Sequence, residues 1–304
     1  MNNIFDIIKK QYKTPVRQVN INNLIIGGEN SLPFMHSETK NISKPVIAIE
    51  IFINLPNNYP DILKKYWGDC INNPVIWAKT AVDKGADVLA VRFNIEDKEE
   101  ISKSQQILKQ ILENININIP VIILGSNKKD IDIKLLPALI EIMNKKCTIG
   151  TLDEDNYKEL APVIKIFEHN IIAKTPIDIN LAKQLNILLV ESGFDPDRII
   201  IDPSTGALGY GLDYAYSMTE RIRLAALEGD NMLNMPIIAF AGEESWKTKE
   251  AKSNNVPEEW GDMDTRAIIW ECITAASMLI AGANIVVMYH PEAVEYVKKF
   301  INVT

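Results

Sequence analysis

The densest run of chemistry-bearing residues is Asp202-Pro203-Ser204-Thr205-Gly206-Ala207-Leu208-Gly209-Tyr210-Gly211-Leu212-Asp213-Tyr214. It follows the β-branched stretch Ile199–Ile201 and precedes a helical pattern. Three glycines in a strand-to-helix loop let backbone N–H groups approach a ligand closely and point toward a helix entrance. A tight turn with a helix cap explains the same residues without a ligand. Downstream, Glu243 to Asp264 is a long polar segment carrying Trp246, Trp260 and the pair Glu258-Glu259. Aromatic residues on such a segment fit an interface, where they anchor binding.

Other candidates are single residues. Arg92 and Asn94 alternate with Phe93, so they share a face. They either read a polar ligand or close a salt bridge. Lys174 ends another apolar run, and a Schiff-base lysine there would need desolvation. His290 follows Met288-Tyr289 as a base, a ligand or a satisfied structural histidine. His36 and His169 lie elsewhere, so no histidine cluster forms. No HExxH, GxSxG or Walker loop occurs, and no nucleophile, base and orienter can be assembled. The expectation is therefore no catalytic set and no metal site.

The elements that must position these residues alternate. Strands are predicted at Val46–Phe52, Asp87–Phe93, Pro120–Gly125, Cys147–Leu152, Ile171–Thr175, Ile199–Pro203, Pro236–Ala241 and Asn284–His290. Near-continuous Ile/Val/Ala runs mark strands buried on both faces of a parallel sheet. Helical patterns follow each, among them Val75–Lys84, Ile133–Lys146, Tyr214–Gly229 and Thr265–Ala281. Such a series, without a GxGxxG loop, predicts an α/β fold of the (β/α)8 TIM-barrel type. Function then sits at the C-terminal strand ends. The barrel is assigned residues 44–304. Residues 1–43 form an extension in which Asn22-Asn23 turns a β-hairpin between Val19–Ile21 and Leu24–Ile26.

The chain has 304 residues, 47% of them apolar, and a net charge of −8. An acidic chain without a basic stripe has no means of gripping a phosphate backbone, which argues against nucleic acid. Residues Cys272 to Tyr289 carry no charge. Gly282 and Asn284 break them into a helix and a strand, so no membrane span is expected. The N-terminus has no basic start or long apolar core, so no signal peptide is read there. Cys70, Cys147 and Cys272 are scattered, which fits small hydrophobes in a reducing cytoplasm.

From the sixth strand onward a resemblance emerges. The run DPSTGALGYGLDYAYSMTERIRLAALEGD, then EEWG and TRAIIWECITAASMLIAGANIVVMYHPEAV, resembles the small (delta) subunit family of the corrinoid iron–sulfur protein. GGENSLPF and GADVLAVRF do so as well. That family belongs to the acetyl-CoA decarbonylase/synthase system. The resemblance implies a barrel paired, as a heterodimer, with a large subunit carrying a corrinoid (cobalamin) and an iron–sulfur cluster. The cobalt would receive a methyl group from methyltetrahydrofolate or a related pterin through a separate methyltransferase. Acetyl-CoA synthase would then take it, in the reductive acetyl-CoA (Wood–Ljungdahl) route of carbon fixation. The barrel's own part would be to shield the corrinoid at the subunit interface, with Gly206, Gly209, Tyr210 and Gly211 nearest and Trp246 in the cap. Scattered cysteines cannot supply four cluster ligands, so the cluster would be the partner's. An alternative resemblance links DPSTG to the DPG turn of pterin-binding barrels, including methyltetrahydrofolate:corrinoid methyltransferase. Asp202, Asn94 and Asn54 would then grip the pterin, although Ser204 stands where that turn has glycine.

Overall fold

The computed structural model describes residues 12–34, 43–115 and 118–303. The segment read as lacking a leader and His36 lie outside them. A hairpin of β1 (Val19–Ile21) and β2 (Leu24–Ile26) precedes eight parallel strands: β3 (Val46–Phe52), β4 (Val88–Arg92), β5 (Val121–Leu124), β6 (Thr148–Leu152), β7 (Asn170–Lys174), β8 (Ile199–Asp202), β9 (Ile238–Ala239) and β10 (Ile285–Met288). They run in the order β8-β7-β6-β5-β4-β3-β10-β9. A parallel bridge between Ile201 and Ile237 closes the ring, helped by the Ile201 N–H donating to Pro236 O at 2.8 Å. The architecture is the TIM barrel that the alternating pattern predicts.

Strand alternation sorts the side chains. Val46, Ala48, Val88, Ala90, Ile122, Leu124, Ile172, Ile200, Ile285 and Val287 form one inner apolar cluster. Ile47, Ile49, Ile51, Leu89 and Val91 belong to the outer cluster with the surrounding helices. Val19, Ile21 and Ile26 join the inner cluster, so the hairpin stoppers the end where the strands begin. Asn170 Nδ2 donates to Asn20 O at 2.8 Å and fastens it.

The helices are α1 (Asp61–Trp67), α2 (Pro74–Asp83), α3 (Ile101–Asn114), α4 (Lys129–Ile140), α5 (Tyr157–Ile166), α6 (Ile179–Glu191), α7 (Leu212–Leu227), α8 (Ala241–Ser245), α9 (Met263–Ala281) and α10 (Pro291–Val303). Three depart most from the pattern reading. The helix predicted at Ile133–Lys146 starts and stops earlier, as α4. Asp132 in its first turn accepts from Ser126 N–H at 2.7 Å, which draws the helix start back toward β5. α1 and α8 form where the alternating pattern assigns no helix. The strand predicted to Ala241 ends at Ala239 because the Phe240 N–H donates to Thr205 Oγ1 at 3.0 Å and α8 begins at once. Among the described residues no helix is long and apolar enough to cross a membrane.

A buried polar knot joins the chain after the hairpin to the barrel. Arg223 Nη2 donates to Gly282 O at 2.7 Å and to Asn284 Oδ1 at 2.5 Å. Asn284 Nδ2 donates to Glu29 Oε1 at 2.8 Å, and Arg223 Nη1 lies 3.3 Å from the same oxygen. Removing one partner of a buried ion pair strands the other charge. Arg223→Leu is expected to lower unfolding stability by about 3–5 kcal/mol, and adding Glu29→Leu to restore part of the loss, read as urea midpoints.

Candidate functional site

Arg92, Lys174 and Asp202 are the last residues of β4, β7 and β8, and Glu50 follows Ala48 in the inward-facing row of β3. The floor of the C-terminal mouth is thus charged. Arg92 is buried; its Nε donates to Glu50 Oε1, and its Nη2 donates to Glu243 Oε2 at 3.2 Å. Glu243 arrives from α8, where Lys247 contacts it at 2.8 Å and Glu244 at 2.7 Å. Burial raises Glu243, but the charges of Arg92, Lys247 and Lys174 outweigh it and hold the carboxyl at about 2. Fully buried Glu50 is raised by desolvation, against the pull of Arg92. Arg92 therefore serves as the salt bridge of its two readings. Asn94 pairs with the backbone of Asn54, donating to its carbonyl at 2.6 Å and accepting from its N–H at 3.2 Å.

Asp202 is buried beside this floor. Its Oδ1 accepts from Ser204 N–H at 2.9 Å, and its Oδ2 has no hydrogen-bond partner. Desolvation pushes its carboxyl up to about 6, opposed mainly by Lys174. Glu50 Oε2 and Thr175 Oγ1 are likewise buried without partners.

Past Asp202 the chain makes the glycine turn. A Cβ on Gly206 would lie 2.3 Å from Gly211 O, so only glycine lets the turn close on itself. Tyr210 N–H donates to Ala207 O at 2.8 Å. Leu208 N–H donates to Thr274 Oγ1 at 3.2 Å, and Trp270 Nε1 donates to Leu208 O at 3.0 Å, pinning the turn to α9. Gly209 and Gly211 take φ of 73° and 83°. Tyr210, 53% exposed, and Tyr214, 69% exposed, stand out from the rim. Trp260, 46% exposed, stacks on Trp270 with ring centroids 5.8 Å apart.

The structure thus gathers Gly206, Gly209, Tyr210 and Gly211 in one turn, with Gly206 inside it. Trp246 is elsewhere: 4% exposed, it donates Nε1 to Glu271 Oε2 at 2.9 Å and stacks on His290 at 6.1 Å. Glu271 also accepts from the N–H groups of Tyr289, at 2.5 Å, and His290, at 3.1 Å; burial raises it to about 7. His290 Nδ1 accepts from Glu292 N–H at 3.1 Å, and burial holds the imidazole near 4. It is a structural histidine. Sequence reasoning passed over Glu50 and Glu271. Each is a lone carboxylate inside an apolar run, IAIEIF and IIWECIT, and that interruption was the available signal. Trp270 gave no signal, because nothing local says that its indole reaches Leu208. Cys70, between α1 and α2, Cys147, just before β6, and Cys272, on α9, are all free. Among the described residues no group of three His, Cys, Asp or Glu side chains could hold a metal ion.

Residues 18–297 match the family model described as CO dehydrogenase/acetyl-CoA synthase delta subunit. The acetyl-CoA decarbonylase/synthase complex subunit delta of Archaeoglobus fulgidus is 33% identical, over 91% of this chain and 63% of its own length. The chain therefore spans less than two thirds of that relative. The subunit delta of Methanocaldococcus jannaschii is 31% identical, over 90% of this chain and 68% of its own. Among solved structures, a dihydropteroate synthase of Xanthomonas albilineans aligns with a TM-score of 0.59 at 10% identity, covering 86% of this chain and 92% of that one. That likeness concerns the fold alone.

An acid held above its unfolded value favours folding only while it stays protonated. Between its unfolded value near 3.8 and about 6, Asp202 keeps a proton in the folded state that the unfolded chain has released. Stability falls as pH rises through that window. Asp202→Asn keeps the Ser204 contact and removes this loss. Urea unfolding at pH 8 should show the variant roughly 3 kcal/mol more stable than the parent, the difference vanishing near pH 4.

Proposed function

We infer the role of this molecule from one premise: the chain belongs to the CO dehydrogenase/acetyl-CoA synthase delta subunit family. It acts as the small, non-catalytic subunit of a corrinoid iron–sulfur protein. It pairs with a larger subunit and covers the corrinoid that this partner holds, in the cytoplasm and on the reductive acetyl-CoA route. A pterin:corrinoid methyltransferase and acetyl-CoA synthase dock transiently. When bound, the corrinoid supplies a cobalt centre that carries the methyl group. Residues 1–43 serve as an extension and residues 44–304 as the barrel.

One observation carries this reading. Arg92, Glu50 and Glu243 at the mouth floor are engaged with one another, whereas the Gly209-Tyr210-Gly211 turn stands at the surface and is pinned to α9. Such a turn can lie against a flat macrocycle. Its glycines admit the amide fringe closely, and Tyr210 and Trp260 exclude water. Gly206 closes the turn, and Trp246 steadies the strand end behind it through Glu271. Two of the three histidines, His169 and His290, are buried, so neither offers a nitrogen to cobalt at this rim. The three cysteines fall short of a cluster's usual four ligands, which supports a cluster held by the partner.

A second reading has its own support: the unpartnered Asp202 Oδ2 and Glu50 Oε2 at the mouth of the barrel. Those oxygens, with Asn54 and Asn94, would hold a pterin, making the chain a methyltransferase of the methyltetrahydrofolate:corrinoid type.

Reconstitution of the chain with its corrinoid-bearing partner separates the two. Tyr210→Ala combined with Trp260→Ala is expected to speed reoxidation of reduced cobalt about tenfold, followed by absorbance; an unchanged rate rejects the cover. Calorimetry of the isolated chain with methyltetrahydrofolate is expected to give no heat. Micromolar binding abolished by Asp202→Asn would instead establish the pterin site.

A further inference from the structure

The charge-free stretch that begins at Cys272 is not consumed by the barrel. α9 buries Ala267, Ala275, Met278 and Leu279 on its inner side, yet Ile269, Ile273 and Ile280 are exposed. At 100° per residue these three and Ala276 fall on one outward stripe about 60° wide. Every exposed position of α9 beyond Thr265 is an isoleucine. The stripe is a ridge between two grooves. One, of about 380 Å³, lies toward α10 and is lined by Ile268, Cys272, Glu292 and Tyr296. The other, of about 420 Å³, lies toward α7 and is lined by Leu208, Gly209, Tyr216 and Ser277. A ridge with a groove on either side is the relief into which a second pair of helices packs. At its upper end the ridge runs into exposed Trp260 and the glycine turn.

The surroundings select the occupant. Residues 241–264 carry seven carboxylates against three lysines, half of the chain's net charge of −8. Lys247 is spent on Glu243 and Glu244, whereas Glu258 and Glu259 stand exposed beside Trp260. A second copy of this chain would set these acids against the same acids, or against the charge-free lower end of its own α9. Neither arrangement gains an opposite charge.

We propose that the outer face of α9 is the docking surface for a helical face of the larger subunit, apolar along its centre and basic where it meets the Glu243–Asp264 segment. This rests on the cover reading for the identity of the partner, and it adds a binding face on the barrel's flank, distinct from the rim above the mouth. Ile273 is the central anchor, and the acidic segment sets the register and speeds association.

Sedimentation velocity of the chain with the purified corrinoid-bearing subunit tests it. Ile273→Glu should weaken the complex by at least ~30-fold, whereas Ile166→Glu on α5, a residue 76% exposed far along the barrel, should not. Both sites are exposed, so thermal melts of the free variants should match the parent. The double reversal Glu258→Lys with Glu259→Lys should weaken binding about tenfold at low salt and much less in 0.5 M salt. A complex indifferent to Ile273→Glu overturns this inference alone. A parent chain that does not bind the large subunit at all overturns the cover reading with it. Self-association abolished by Ile273→Glu assigns the face to a second copy and overturns the proposal.

Discussion

A guanidinium enclosed by a barrel must find its anions inside the barrel. Arg92 does so with Glu50 from the neighbouring strand and Glu243 from the turn of helix after β9. Removing such charges from water costs several kcal/mol per ion unless the geometry returns it. That requirement fixes β3, β4 and α8 relative to one another. It also depends on α8 following the two-residue β9 almost directly, which brings Glu243 to the mouth. It also places Trp246 one turn on, where its indole meets Glu271 and locks the end of β10. The mouth is built around neutralising one cation.

The consequence for function lies in what this leaves over. In a (β/α)8 enzyme the strand-end charges usually face the substrate. Here Arg92 and Glu50 face each other, and the outlying features are exposed aromatic and aliphatic surfaces: a pinned glycine turn, a tryptophan stack and an isoleucine ridge. Surfaces of this kind gain free energy by excluding water against another body. A subunit of the delta family, which works beside other proteins, is well served by that distribution.

Much of the fold was legible because buried parallel strands write themselves as uninterrupted Ile and Val runs, and Val46–Phe52 matches residue for residue. β9 was overextended because PIIAFA reads as strand throughout; only the tertiary contact from Phe240 to Thr205 ends it. α1 and α8 were missed because each is short, and its helical period spans barely two turns. The glycine turn was legible from composition. Its fastening was not, since Thr274 and Trp270 lie more than sixty residues downstream. Trp246 and Trp260 share one segment, and sequence could not say that the first turns inward to a carboxylate while the second stays at the surface.

The stopper at the lower end of the cylinder has a further implication for how the molecule comes into being. Val19, Ile21 and Ile26 emerge before every strand of the barrel, but their cluster includes Ile285 and Val287, and the knot around Glu29 needs Arg223 and Asn284. The plug is made long before there is anything to plug. Its greasy side chains must wait until Ile285–Met288 is out, so sealing the base and joining the last staves are one late event. Contacts of such long sequence separation slow folding. Nascent chains therefore pass through a prolonged period of exposure in which a chaperone has both time and reason to hold them.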